Sequence, residues 1–159
     1  MLDFDAIPRI DIALGELLPQ KRTMLLIDSA RGTSGSVVAS ETTLGSRHEL
    51  FAQRDGTFGS WILLELMAQT IGIYAGLKNR AEGSGPKVGF ILGTRHFDAR
   101  VPFFRAGDTI RIRGECIAYF ESDLPSQFEC VAYLGDAEVG RSRLTVYQPK
   151  DLTAFTHDS

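Results

Sequence analysis

Two side chains four residues apart carry the chemistry that the sequence offers most plainly. Glu65 and Gln69 lie within WILLELMAQTIGIYAGL (Trp61 to Leu77), seventeen residues without Lys, Arg or Asp. A carboxylate in apolar surroundings loses solvation, which favours its protonated form and suits it to give up a proton near neutral pH. Gln69 follows one helical turn later, within reach of Glu65 or of a ligand carbonyl. The alternative is a carboxylate that surfaces at a subunit edge or pairs with an arginine. A base is harder to find, because the chain has three histidines in 159 residues. His48 stands seventeen residues before Glu65 and is either a base or a structural loop histidine. His96 follows Arg95 near the end of a strand-like run, where an exposed position is equally natural. Arg54 and Asp55 could orient a substrate, although Asp55-Gly56 reads first as a turn.

The element that must position Glu65 is a helix of about five turns. Its seventeen residues, mostly apolar but interrupted by a carboxylate and an amide, do not suit a membrane span of about 20 apolar residues. Such a segment is otherwise a core helix. Ser60 is the expected N-cap, Lys78 and Arg80 place cations at the C-terminal end, and Gly83, Gly85 and Pro86 end it. At 100° per residue, Glu65, Ala68, Gln69, Gly72 and Gly76 share one narrow stripe, while Leu63, Leu66, Met67, Ile73, Tyr74 and Leu77 share the other side. The bulky face suits a concave sheet. The small face leaves room for a partner helix or a thin substrate.

Around the helix the pattern is strand-like. Met24 to Arg31 and Val37 to Leu44 flank Gly32-Thr33-Ser34-Gly35, a hairpin signal. Lys87 to Phe97, Thr109 to Phe120, Ser126 to Leu134 and Glu138 to Gln148 follow, separated by turn residues. Short connections favour antiparallel pairing, so the expected class is α+β, one long helix on a curled antiparallel sheet of about six strands. In the hairpin turning at Glu121 to Pro125, Cys116 is expected opposite Cys130, with Ile110, Ile112, Ala118, Phe120, Phe128, Ala132 and Leu134 on the same buried face. The two thiols read as reduced core fillers rather than a redox pair. The length fits one domain, with a core from about 17 to 149 and a frayed tail from 150 to 159.

Composition excludes more than it assigns. Of the residues, 43% are hydrophobic and 23% charged, with a formal net charge of −3. Seventeen Lys and Arg against twenty Asp and Glu argue against a nucleic-acid binder. Two cysteines are too few for a disulfide scaffold. The opening residues show no signal peptide, so a cytoplasmic setting is expected. No metal site is expected.

The ordered motifs resemble a known family. Glu65-Leu-Met-Ala-Gln69, preceded by Leu17-Leu-Pro-Gln-Lys-Arg-Thr-Met-Leu-Leu-Ile-Asp28, resembles the hotdog-fold β-hydroxyacyl-ACP dehydratases. Gly89-Phe-Ile-Leu-Gly-Thr-Arg95, Phe128-Glu-Cys130 and Leu144-Thr-Val-Tyr-Gln-Pro149 resemble one branch of it, the dehydratase-like proteins of aryl-polyene biosynthetic clusters. The resemblance implies a hotdog fold, an active site at a dimer interface and loss of water from a 3-hydroxyacyl thioester to give a trans-2-enoyl thioester. The substrate would arrive on the phosphopantetheine arm of an acyl carrier protein, with no cofactor of the enzyme's own. Glu65 matches the family's helix acid. Gln69, Gly72 and Gly93 are the expected substrate-side positions.

The departure lies at the base. The family's G-H-F-P-G loop is replaced by Phe51-Ala-Gln-Arg-Asp-Gly-Thr-Phe-Gly59, without histidine, and Gln20 stands where the N-terminal motif usually has His. His48 would then be a relocated base, or the chain would be a non-catalytic acyl-binding subunit beside an active dehydratase, as homodimer or heterodimer. Thioester hydrolysis is a third reading, because fold alone does not choose among these chemistries. Between Lys87 and Arg113 six basic residues stand against Asp98 and Asp108, a local +4. Arg95, Arg100 and Arg105 are its expected docking positions for an acidic carrier.

Overall fold

The computed structural model describes residues 3–20, 24–32, 35–85, 89–118 and 124–149. A six-stranded antiparallel sheet has the order β1-β2-β6-β7-β8-β4. Its strands are β1 (Ser29–Gly32), β2 (Val37–Thr43), β4 (Phe90–Ala99), β6 (Thr109–Ala118), β7 (Ser126–Leu134) and β8 (Ala137–Tyr147). A short helix α1 (Leu14–Leu17) and a long one, α2 (Ile62–Ala81), complete the frame. This is the α+β hotdog architecture.

The hairpins follow from local sequence. Between β7 and β8, Leu134 pairs with Ala137 across a two-residue turn whose Gly135 has φ 62°, the left-handed backbone that glycine adopts without a Cβ clash. In β6 the inward positions are Ile110, Ile112 and Gly114, alternating with Arg111 and Arg113. The β6–β7 register differs from expectation by two residues: Gly114 faces Cys130 and Cys116 faces Phe128, with an irregularity before Ala118↔Gln127. A shift of two preserves which face a side chain takes, so Ile110 and Ile112 are still buried with Phe128, Cys130 and Ala132, while Cys116, Ala118 and Leu134 are only half-buried. Both cysteines are free thiols. Residues 119–123, which include Phe120 and the first part of the turn, lie outside the described residues.

The elements differ from expectation in other places. The first strand starts at Ser29 rather than Met24, because Met24 to Asp28 run beside α2 outside the sheet. Trp61, not Ser60, occupies the N-cap of α2, and no side chain caps it. A two-stranded ribbon, β3 (Phe58–Gly59) with β5 (Phe103–Phe104), was not legible in the sequence. The packed structure also begins before residue 17: Phe4 and Ile7 are buried with Ala39. The tail 150–159 lies outside the described residues.

The bulky face of α2 behaves as its pattern requires. Leu63, Leu66, Met67 and Ile73 are fully buried, each burial contributing about 1.5–3 kcal/mol. A Cβ on Gly140 of β8 would lie 2.5 Å from Leu63 Cδ1, so any side chain there would force Leu63 to move. Tyr74 meets Phe128 edge to face at 5.3 Å. The small face is covered too. A Cβ at Gly76 would lie 2.2 Å from Leu17 O, and one at Gly72 would lie 2.7 Å from Leu18 Cδ2. The room left by these glycines is filled by the chain's own N-terminal segment.

Candidate active site

Met24 to Asp28 make no strand, so side chains must satisfy much of their backbone. Gln69 does so from α2. Its Oε1 accepts the Leu26 N–H at 2.9 Å, and its Nε2 donates to Met24 O at 2.7 Å. The second Nε2 proton goes to Glu65 Oε1 at 3.0 Å. Gln69 is completely buried. The sequence offered Glu65 or a ligand as partners for this amide. The structure commits its amide protons to Met24 and Glu65, so the substrate-side role expected of Gln69 becomes a framework role. Gly72 likewise leaves its room to Leu18, a packing use in place of the substrate contact expected of it.

His48 closes the same segment from the other side. It lies in a 3-10 turn, Ser46–Phe51, and is 0% exposed. The Gly45 N–H donates to its Nδ1 at 3.1 Å. Nδ1 is therefore the bare nitrogen, and Nε2 carries the proton it donates to Leu26 O at 3.0 Å. Both nitrogens are committed and water is excluded, so this geometry does not offer His48 as the relocated base. Its neighbour Arg47 donates to Leu25 O at 3.0 Å, to Leu26 O at 2.6 Å and to the Asp28 carboxylate. Asp28 in turn accepts the Thr43 N–H at 2.7 Å. Arg47 and Asp28 escaped the sequence reading. The signal that points to them is the non-strand run itself, whose carbonyls need donors.

Glu65 is half-buried and anchored through Oε1, and among the described residues its Oε2 has no hydrogen-bond partner. The loop before α2 holds Asp55 as a turn former: its Oδ1 accepts from Thr57 Oγ1 at 2.6 Å and Thr57 N at 3.0 Å. These bonds hold its carboxyl below the ordinary value. Arg54 makes no ion pair among the described residues.

The remaining expected positions lie elsewhere, on or near β4. Gly93 is exposed, with open space where a Cβ would point, and Arg95 is exposed beside it. His96 is exposed with φ 56°, left-handed for a non-glycine residue, at a bulge between Arg95 and Asp98. Such a backbone is held by surrounding structure rather than by local preference. Arg100 is paired with Glu138 at 2.6 Å, while Arg105 lies over the Phe103 ring at 5.6 Å. The local +4 is also reduced by Arg111–Glu41 at 2.8 Å and Arg113–Glu115 at 3.0 Å. Among the described residues no three His, Cys, Asp or Glu side chains converge as metal ligands, and no helix is long and apolar enough to cross a membrane.

Comparison with known proteins agrees with this frame. The structure of the dehydratase heterocomplex ApeI:P from Xenorhabdus doucetiae superposes with a TM-score of 0.84 at 23% identity, covering 94% of this chain and 100% of that one. A hypothetical thioesterase from Streptococcus pneumoniae TIGR4, solved with coenzyme A, gives 0.55 at 13% identity, covering 75% and 83%. The PaaI protein of the E. coli phenylacetic acid degradation operon gives 0.55 at 9%, covering 74% and 80%. No curated protein matches the chain. The sequence profile of the ApeP-like family, described as ApeP dehydratase, matches residues 12–157, and the chain belongs to that family.

Proposed function

We propose that this dehydratase-family chain works on a 3-hydroxyacyl thioester as one half of a paired hotdog assembly, with Glu65 as the acid and the base on the partner subunit. The observation that carries the reading is the contrast between the two candidate groups. Glu65 has one carboxyl oxygen anchored and the other unpartnered among the described residues, on a half-buried face, whereas both nitrogens of His48 are taken. In the elimination, the base takes the C2 proton, C2 and C3 form a double bond, and the C3–O bond breaks. Glu65 gives its proton to the departing oxygen, which leaves as water. The base's proton then restores Glu65 through solvent, so the cycle balances without a cofactor.

A partner is supported by two findings. The similar heterocomplex is described as a dehydratase of two different chains. Edge strand β4 has a hydrogen-bonded neighbour, β8, on one side only and exposes Ile91 and Leu92. The reading places the substrate on an acyl carrier protein in an aryl-polyene type of biosynthesis, in the cytoplasm. Gly93 is open for the arm. Arg95 and Arg105, whose guanidinium groups have no carboxylate partner among the described residues, are the cations left for an acidic carrier, with Arg100 shared with Glu138.

The test is conversion of a 3-hydroxyacyl carrier thioester by this chain alone and after addition of a related hotdog subunit. Enoyl thioester is expected only from the pair. Glu65→Gln in the pair should lower kcat by about 100-fold or more while the assembly persists. Turnover by the chain alone removes the partner base, unchanged turnover in Glu65→Gln removes the acid, and release of free acid identifies hydrolysis instead.

A further inference from the structure

We propose that His48 is a positioning residue for Glu65, acting through Leu26 and the Gln69 amide so that carboxyl oxygen Oε2 is the one that holds the transferable proton. The inference rests on Glu65 being the acid. Burying an imidazole costs free energy unless both nitrogens are bonded, and an aliphatic side chain would fill the same volume without that cost. The imidazole is there with both bonds made: Gly45 N–H to Nδ1 and Nε2–H to Leu26 O.

What these bonds hold is a residue outside any strand, gripped from two sides. Its carbonyl is taken by His48 at 3.0 Å and Arg47 at 2.6 Å, and its N–H by Gln69 Oε1 at 2.9 Å. That last bond decides the orientation of the amide. Flipped, Gln69 would set its NH2 against the Leu26 N–H and its carbonyl against Met24 O. Held as it is, Gln69 presents N–H to Glu65 Oε1 at 3.0 Å. A proton on Oε1 would meet that N–H head on, so the acid's proton belongs on Oε2. If His48 lets go, Leu26 is held at its carbonyl by Arg47 alone. Displacement of Leu26 then frees Gln69 to turn, and Glu65 loses its fixed donor face.

The experiment compares two variants in the dehydrating assembly. His48→Asn keeps an acceptor for the Gly45 N–H and removes the donor to Leu26 O, whereas His48→Gln restores a donor at the Nε2 position. Misplacement of a reacting group by about 1 Å lowers rates by up to about 100-fold, so His48→Asn should lose about 10–100-fold in kcat with KM little changed. His48→Gln should recover most of it. Combined with Gln69→Met, His48→Asn should add almost nothing further, because both act through one contact. A second readout is independent of turnover: the Gln69 side-chain amide protons should exchange slowly in the wild type, faster in His48→Asn, and slowly again in His48→Gln. Wild-type kcat in folded His48→Asn overturns the proposal, as does equal loss in both variants, which marks a base. Fast amide exchange in the wild type overturns it as well. Should no assembly dehydrate, the functional reading falls and amide exchange still decides the positioning.

Discussion

The two edges of the sheet are treated in opposite ways. At the β1 edge the chain seals itself. Ile10 N donates to Ala30 O at 3.1 Å and Gly32 N to Pro8 O at 2.9 Å, so the N-terminal segment takes the place of a seventh strand. Arg31 reaches Ile7 O at 2.9 Å, and the guanidinium groups of Arg31 and Arg111 lie 5.1 and 4.6 Å from the Phe4 ring centroid. At the β4 edge no such cover exists among the described residues. Ile91 is 45% and Leu92 57% exposed, and bulges interrupt the pairing with β8 at Ile91/Gly93 and Arg95/Asp98. An uncovered strand edge with apolar side chains is a template for another chain. The sealed side is completed by the chain itself, and the open side has no such cover among the described residues.

Breaking the open side should have the larger effect. Ile91→Lys with Leu92→Glu is expected to weaken binding of a hotdog partner by about 30-fold or more, the cost of losing an interface anchor of about 2 kcal/mol. Sedimentation of the pair measures it. The urea midpoint of the isolated chain should stay put, because exposed substitutions change stability by about 0.5 kcal/mol or less. An equal loss of stability would show that β4 is completed from within the chain.

Gly76→Ala probes the closed side. The added methyl would stand 2.2 Å from Leu17 O, a backbone atom, so α1 must move off α2. Overpacking costs about 1–3 kcal/mol, against about 1 kcal/mol that alanine returns to a helix. The net expectation is a loss of up to about 2 kcal/mol in urea unfolding, with partner binding unaltered.

The smallest effect is a pH dependence. Burial pushes the Cys130 thiol up to about 12 from a usual value of 9.0. Between those values the unfolded chain loses the proton and the folded chain keeps it, so the fold loses stability as pH rises from 9 towards 12. At pH 10 the loss is about 1 kcal/mol. It should appear as a shrinking difference between wild type and Cys130→Ala from pH 8 to pH 10.

Legibility followed the range of the interactions involved. The long helix, the strand faces and the β7–β8 hairpin are written in neighbouring residues, and the β6–β7 error of two residues left Ile110, Ile112, Phe128, Cys130 and Ala132 buried as expected. Gln69 was legible as a partner of Glu65 because the two are one turn apart. His48 was not legible as a clamp. Its partner is the backbone of Leu26, and a backbone carbonyl has no residue type to read. The pairing of β4 with β8 was equally hidden, since two other long strands of the sheet, β6 and β7, lie between them in the chain.

By itself the sequence determined the class of fold, the acid at Glu65 as the leading candidate, and the scarcity of histidine that makes a lone chemical site hard to build. Periodicity and composition are local properties, and those conclusions need nothing more. Tertiary structure alone decided that the small face of α2 is filled by Leu17 and Leu18, that His48 is sealed, and that one sheet edge is uncovered among the described residues. Each of these depends on which distant backbone arrives beside a given side chain. Space and hydrogen-bond partners are allotted only when the whole chain has packed.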